Sequence, residues 1–302
     1  MSESCDAGVT VVIATYNMGR YLPLAVESVL AQTYPHFQIQ IVDDGSTDDT
    51  PAITARLATD PRIRVHRQPN GGQARAKNQG IQLSRSPFVA FLDADDVWLP
   101  DKLQRQMPLF KDRPEVGVVY SDSECMDGEG KPLPKGRVTM HRGQIAGELL
   151  IDNFVSFPAA IVRRECFERL GMFDESLGMG IDYDLWLRLS AQYTFDFVDG
   201  ATVRYRIWSG QMSKNYRERY ASAIRIMRRF LDSHPGMIRP QVVRTAWAHT
   251  FTGRGDCVLW RDHKWREALG DYLLALRHRP DYWPAWRALA RSFITTKPPR
   301  PG

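Results

Sequence analysis

The chain has 302 residues, 43% of them hydrophobic, and carries a formal net charge of +5, values ordinary for a soluble globular protein of one large domain with or without a helical appendage. Its apolar runs are only strand-sized, short of the roughly 20 residues that span a bilayer, and Cys5, Cys125, Cys166 and Cys257 form no CxxC pair, which argues against disulfides and a zinc site. The charge is uneven: residues 1–200 hold 20 Lys/Arg against 28 Asp/Glu, a balance of −8, whereas residues 201–302 hold 20 against 7, a balance of +13, so the two parts are expected to meet different partners.

Residues 1–6 have neither a basic start nor an apolar core, so no signal peptide is expected; the scattered cysteines make a reducing cytoplasm the expected location. Residues 9–15, VTVVIAT, are a β-branched run that predicts a first, central strand, ended by Tyr16-Asn17-Met18-Gly19. A helix follows over about 21–32, with Leu22, Val26, Val29 and Leu30 at helical spacing. Residues 37–42 predict the second strand, running into Asp43-Asp44-Gly45-Ser46-Thr47-Asp48-Asp49. Thr50 before Pro51 is an N-cap signal for a short helix carrying Ile53 and Leu57. Residues 63–66 predict a third strand, Asn70-Gly71-Gly72 a turn, and residues 73–83 a helix.

Phe88 to Leu92 are five apolar residues without alternation, the pattern of a strand buried on both faces. The run stops on Asp93, Asp95 and Asp96. In open α/β sheets ligands bind at the carboxyl ends of strands. Carboxylates crowded there repel one another unless a cation sits among them, and a hard ion such as Mg2+ or Mn2+ is held by one or two carboxylates plus phosphate oxygens. A solvated loop capping the next helix is the competing reading; it stands level for Asp96 and is the weaker for Asp93 and Asp95.

A helix is expected over about 101–110, a strand over 116–120 and a Gly-, Pro- and Lys-rich loop or hairpin over 127–142. A strand over 159–162 and a helix over 164–170 follow. The helix from Ile181 opens with Asp182 and Asp184, acids that favour its dipole. Two closing strands are expected over 195–198 and 202–206. Strands alternating with helices predict an α/β fold with a mostly parallel sheet flanked by helices. From Asn215 the pattern is helical, over about 215–233, 242–251, 265–276 and 283–293, and residues 297–302 read as a disordered tail.

Five pieces, in order over roughly residues 8–210, resemble the family 2 glycosyltransferases, nucleotide-sugar enzymes of the Rossmann-like GT-A fold. They are Val12-Ile13-Ala14-Thr15-Tyr16-Asn17, Ile41-Val42-Asp43-Asp44-Gly45-Ser46-Thr47-Asp48, Asn70-Gly71-Gly72 through Asn78-Gln79-Gly80, Phe91-Leu92-Asp93-Ala94-Asp95-Asp96, and Asp182-Tyr183-Asp184-Leu185-Trp186-Leu187-Arg188. The resemblance implies a GT-A catalytic domain over 1–210, with a nucleotide-sugar half at about 8–100 and an acceptor half at about 101–210, followed by a basic α-helical extension over 211–302.

It also implies roles. Ala14, Thr15 and Tyr16 would bind the donor, the Tyr16 ring lying against the nucleobase, and Asp44 would hydrogen-bond the base. Asp93 would meet the ribose, with Ala94 beside it, and Asp95 would be the ligand of Mn2+ or Mg2+ on the diphosphate. Asp182 would be the general base, which implies inversion at the anomeric carbon. Two positions depart from the family's pattern: Lys77 replaces a frequent Arg, keeping a point charge toward phosphate without a bidentate fork, and Ile181 replaces a usual Glu. The implied partners are a nucleotide-sugar donor and a glycan or lipid-linked acceptor, as in surface polysaccharide assembly.

Two other readings compete. A nicotinamide-dependent oxidoreductase would carry GxGxxG after the first strand, and here that turn is Thr15-Tyr16-Asn17-Met18-Gly19. A non-catalytic sugar-nucleotide binder or scaffold on the same fold is the other. The C-terminal arginines suggest a peripheral contact with the anionic inner face of a membrane; their interleaved Trp and Leu at helical spacing look like a packed core, so no nucleic-acid partner is expected.

Overall fold

The computed structural model describes residues 8–136, 138–211 and 214–294, so the segments 1–6 and 297–302 lie outside the described residues. The described residues fall into two compact units, 8–145 with 154–211, and 146–153 with 214–294.

The first unit begins with β1 (Val9–Thr15), α1 (Leu22–Leu30), β2 (Phe37–Asp43), α2 (Thr50–Leu57), β3 (Ile63–Arg67), α3 (Gln73–Leu83) and β4 (Phe88–Phe91). The order β3-β2-β1-β4 is parallel throughout, with β1 at its centre. Helical crossovers cover both faces, which is why β1 and β4 read as continuous apolar runs. α1 buries Leu22, Ala25, Val26 and Val29, the stripe its spacing predicts. α3 approaches β1 so closely that a Cβ added at Gly80 would stand 2.3 Å from Val12 Cγ1.

The second half runs through β5 (Val97–Trp98), α4 (Lys102–Gln106), a 3-10 turn (Met107–Phe110), β6 (Val116–Asp127), β7 (Pro132–Leu133), β8 (Ile161–Arg163), α6 (Arg164–Leu170), α7 (Ile181–Ser190) and β9 (Thr194–Ile207); α5 (Ala146–Ile151) belongs to the other unit. Here pairing is mixed: β8 is antiparallel to β4 and β6, β9 is parallel to β6, and β5 is antiparallel to β9. Three sequence expectations change. The two closing strands are one, because the polar Asp199-Gly200 pair that reads as a break is a bulge: Val198 pairs with Ser121 and Ala201 with Asp122. β6 continues past Tyr120 through polar residues because β9 supplies its ladder as far as Asp127. β5, two residues long, and α5 carry too little periodicity to be foreseen. The 127–142 segment does form a hairpin through β7, among its described residues.

In the second unit, α8 (Tyr216–Ser233), α9 (Pro240–Asp262), α10 (Trp265–His278) and α11 (Trp283–Ile294) join α5. Asn215 caps α8 by accepting the Glu218 N–H at 3.2 Å. α9 is far longer than the 242–251 expected, because its glycines are packing sites: a Cβ at Gly255 would meet the Tyr272 ring at 2.6 Å. Tyr216, Val258, Ala268, Tyr272 and Ala288 form one apolar cluster, and Ala248, Phe251, Ala275 and Ala285 another. Arg217 is tied to Asp262 and Glu267, at 2.8 and 2.9 Å. Among the described residues no helix is long and apolar enough to cross a membrane.

Gly80→Ala is expected to destabilise the fold by about 1–3 kcal/mol through overpacking, against an intrinsic gain of about 1 kcal/mol for Ala over Gly in a helix. Val12→Ala should recover part of that loss in the double variant. Urea unfolding reads both; a G80A midpoint at or above wild type would mean that the α3–β1 approach does not constrain this position.

Candidate functional site

The carboxyl ends of β1, β2 and β4 lie side by side: Thr15 stands opposite Asp43, and the Leu92 N–H donates to Val12 O at 3.1 Å. The loops leaving β1 and β2 are sewn together. Asn17 N–H donates to Ser46 Oγ at 2.9 Å, and Asn17 Oδ1 accepts from Thr47 N–H at 2.8 Å. Asn17 has φ +53°, a left-handed conformation that Asn tolerates better than most residues. Thr50 is the first residue of α2, with Asp49 as its N-cap; the Thr50 hydroxyl, expected to cap that helix, instead accepts Met18 N–H at 3.2 Å. On this frame Tyr16 presents its ring 45% exposed, while Ala14 is half-buried and Thr15 buried. Among the described residues Thr15 Oγ1 is buried without a hydrogen-bond partner, although Thr15 O accepts Asp44 N–H at 2.9 Å.

Asp44 is buried and held by neutral donors. Its Oδ1 accepts from Gln68 Nε2 at 2.8 Å and Gly71 N–H at 3.0 Å, and its Oδ2 from Gly72 N–H at 2.8 Å. These bonds fix the Asn70-Gly71-Gly72 turn and with it the start of α3. One turn into α3, Lys77 Nζ lies 3.0 Å from Asp93 Oδ1 and 4.0 Å from the centre of the Phe157 ring. The lysine side chain is 7% exposed and its partner 32%, so the charge sits under the acidic turn with the carboxylate facing out.

Beyond Asp93 the chain turns tightly, the Asp96 N–H donating to Asp93 O at 3.0 Å. Asp96 is buried. Its Oδ1 accepts the backbone N–H of Arg206 at 2.8 Å, and among the described residues its Oδ2 has no hydrogen-bond partner. The Arg206 guanidinium donates to Asp95 O at 2.7 Å and to Asp127 O and Gly128 O at 3.2 Å each, 4.7 Å from the centre of the Tyr21 ring. Asp95 Oδ2 accepts the indole N–H of Trp208 at 2.8 Å. Burial first, then the Asp93 charge, raises the proton affinity of Asp95 above the ordinary carboxylate range, and the Trp208 N–H opposes the rise. Burial followed by the Asp95 and Asp93 charges pushes Asp96 much further in the same direction.

A divalent cation would relieve this crowding, and Asp95 offers the hard oxygen donors that Mg2+ and Mn2+ take. Among the described residues no group of three or more His, Cys, Asp or Glu side chains converges as a ready-made metal centre. The donor set therefore fits an ion that completes its shell with phosphate oxygens and water, as Mg2+ does in phosphate-binding sites.

Asp182 lies in the first turn of α7, after Gly180, which takes the left-handed conformation at the N-cap. The preceding loop reaches α3 through Gln73 Nε2, 3.4 Å from Gly178 O, and Gln73 Oε1 is 3.5 Å from Lys77 Nζ. Asn78 fixes the segment before that loop, bonding Phe173 O, Phe173 N and Glu175 Oε1 at 2.9 Å each. Asp182 is half-exposed. Asp184 is buried against Arg188 Nε at 2.9 Å, and the same guanidinium donates to Leu170 O and Met172 O. The two acids of this turn are thus differently placed, one at the surface and one inside.

Arg206 and Trp208 are the site residues that the sequence alone does not reveal. They meet Asp96 and Asp95 across 110 and 113 positions, and nothing in Tyr205-Arg206-Ile207-Trp208 marks an acidic partner. A cavity of about 630 Å3 at the opposite edge of the sheet, lined by Thr10, His36, Gln38 and Arg64, is remote from this constellation.

The model of Glycosyl transferase family 2 matches residues 10–171, more than half of the chain. The chain is similar to an uncharacterized glycosyltransferase of Rickettsia felis, 30% identical over 207 residues that make up 68% of this chain and 34% of that protein, so it spans about a third of that relative's length. Among solved structures, S. aureus TarS 1–349 superposes with a TM-score of 0.66 at 19% identity, covering 95% of this chain and 89% of that one. The mannosyltransferase PcManGT from Pyrobaculum calidifontis, in complex with GDP-Man and Mn2+, superposes with a TM-score of 0.64 at 20% identity, covering 95% and 80%. TarS is also similar in its UDP and UDP-GlcNAc complexes, at TM-scores of 0.66 and 0.62. These likenesses establish the fold: a mixed α/β architecture of the GT-A type with C-terminal helices.

Proposed function

Because the chain belongs to glycosyl transferase family 2, we propose that it is an inverting, metal-dependent glycosyltransferase that moves a sugar from a nucleoside diphosphate donor to a hydroxyl acceptor. One observation carries the reading. The Lys77–Asp93 ion pair stands beside Asp95 at the end of β4, at the same sheet edge as the exposed Tyr16 ring and buried Asp44. That arrangement suits a ligand with a flat base at one end and a charged diphosphate at the other. Donor-bound TarS and PcManGT complexes on the same fold support it.

In this reading Tyr16 stacks on the base, and Ala14, Thr15 and Ala94 line the nucleoside through their backbone and the unpaired Thr15 hydroxyl. Asp44 sets the Gly71-Gly72 turn from which α3 aims Lys77. Asp93 would meet the ribose, and Asp95 would hold Mn2+ or Mg2+. The bound ion supplies Lewis-acid neutralisation of the charge that develops on the leaving diphosphate. Asp182 accepts the proton of the acceptor hydroxyl. The acceptor oxygen then bonds to the anomeric carbon, while the bond from that carbon to the diphosphate breaks and its electron pair leaves with the nucleotide. Attack opposite the leaving group inverts the carbon. Asp184, buried against Arg188, is poorly placed to take that proton.

The acceptor is a glycan or lipid-linked hydroxyl, in surface polysaccharide or glycolipid assembly at the inner face of the membrane. The helices offer an anionic bilayer a stripe of exposed Trp283, Trp286 and Phe293 beside Arg287 and Arg291 on α11. α8 is the poorer candidate, since Arg217 is occupied by Asp262 and Glu267. The chain should co-sediment with anionic vesicles at low salt and be released at high salt, by roughly 1 kcal/mol per basic residue engaged. Equal recovery on neutral vesicles, or none on either, would remove the membrane from this reading.

Asp95→Ala should abolish Mn2+-dependent binding of nucleotide diphosphates in calorimetry while leaving the fold intact by circular dichroism; normal Mn2+ and nucleotide binding by that variant would place the metal elsewhere. Asp182→Asn should keep donor affinity and lower transfer by about two to four orders of magnitude, the usual weight of a positioned general base. Near-normal transfer would move the base. Wild-type protein that binds donor yet neither transfers nor hydrolyses any sugar nucleotide would favour the non-catalytic binder, the outcome that Ile181 in place of the family's Glu makes worth testing.

A further inference from the structure

Trp208 has no counterpart in the roles assigned above, yet it hydrogen-bonds the Asp95 carboxylate. Its indole N–H is 2.8 Å from Asp95 Oδ2. The ring is fixed on several sides. Tyr21 packs against it with centroids 5.5 Å apart at 59°, and a Cβ at Gly210 would fall 2.3 Å from Trp208 Cζ3. The Gln211 amide bridges the same turn, donating to Arg206 O and accepting Trp208 N–H at 3.4 Å. Beneath it the Arg206 guanidinium holds the backbone oxygen of Asp95 at 2.7 Å.

We propose that Trp208 is a positioning residue of the diphosphate–cation site, fixing the Asp95 carboxylate through Oδ2 so that Oδ1 is the oxygen presented to the cation. The inference rests on the reading of Asp95 as the metal ligand. Its chemistry is one-sided: an indole N–H only donates, so Trp208 cannot itself ligate a cation. The indole engages Oδ2, which leaves Oδ1 as the oxygen turned to the cation. A carboxylate held at one oxygen loses less rotational freedom when the cation arrives, the general gain from second-shell hydrogen bonds to metal ligands.

Two substitutions separate the N–H from the ring. Trp208→Phe keeps an aromatic ring against Tyr21 and loses the donor; Trp208→His keeps a ring N–H on a smaller ring. Free Mn2+ is followed by its electron paramagnetic resonance signal as protein is added, with UDP and, separately, GDP present. W208F should bind Mn2+ about tenfold more weakly than wild type, the order expected for one hydrogen bond to a charged group or one second-shell partner of a metal ligand, and W208H should stay closer to wild type. W208F matching wild type, or W208H binding more weakly than W208F, would reduce Trp208 to packing and overturn the proposal. A wild-type measurement stands apart from the folding of either variant: Mn2+ with nucleotide should quench part of the tryptophan emission and Mg2+ with nucleotide should not, and an unquenched spectrum overturns it as well. Wild type that takes up no Mn2+ with either nucleotide removes the Asp95 reading itself, and this one with it.

Discussion

Three carboxylates within four residues at the end of β4 set the problem that the rest of the first unit answers. Asp96 is 1% exposed, and the charges of Asp93 and Asp95 act on it at close range. Burying a carboxylate is costly unless donors or opposite charge compensate it. The compensation arrives from β9: the backbone N–H of Arg206 reaches Asp96, and its guanidinium draws together Asp95 O and the Asp127–Gly128 turn. This requires β9 to run on past its bulge to Ile207, and β6 to run beside it to Asp127. The long, polar continuation of both strands is thus the structural counterpart of the acidic turn.

The neighbouring acids are held by a different means. Asp44 is surrounded by two backbone N–H groups and an amide, with no cation in contact among the described residues. Neutral donors satisfy a carboxylate without spending its charge on a partner. The loops after β1 and β2 are locked by side-chain-to-backbone bonds of the same kind from Asn17, Ser46 and Thr50. The edge that offers Tyr16 is therefore rigid by hydrogen bonding. The Asp93–Asp95 edge is instead rigid by charge, through Lys77 below and Arg206 behind.

The GT-A-type sheet makes these two arrangements adjacent. β1 lies between β2 and β4, so loops separated by some fifty residues in sequence end at one edge. α3 carries the turn set by Asp44 at one end and Lys77 one turn later, and it can press on β1 only because residue 80 has no side chain. Asn78, on the same helix, fixes the segment leading toward Asp182. A single eleven-residue helix thus ties the base-side edge, the acidic turn and the approach to α7.

Local periodicity determined much of this protein. The β-branched and apolar runs of β1, β2 and β4, the stripe of α1, and the limits of α3 and α6 follow from side-chain spacing alone, because strands and helices buried on a regular face leave that face in the sequence. The acids at the strand ends were equally legible, since a run of carboxylates after a buried strand has few bland explanations. What the sequence could not decide depends on partners far away. Asp199-Gly200 reads as a break between two strands and is a bulge because β6 holds both sides. The helix expected over about 242–251 runs on to Asp262, and Gly255 lies inside it where a side chain would collide with Tyr272. Asp182 and Asp184 are indistinguishable as first-turn acids until Arg188 and the carbonyls of 170–172 claim one of them. Arg206 and Trp208 gain their roles only where β9 meets the acidic turn, more than a hundred residues from it in sequence. Spacing records which face a residue shares with its neighbours; the partner across the fold is fixed only when the sheet closes.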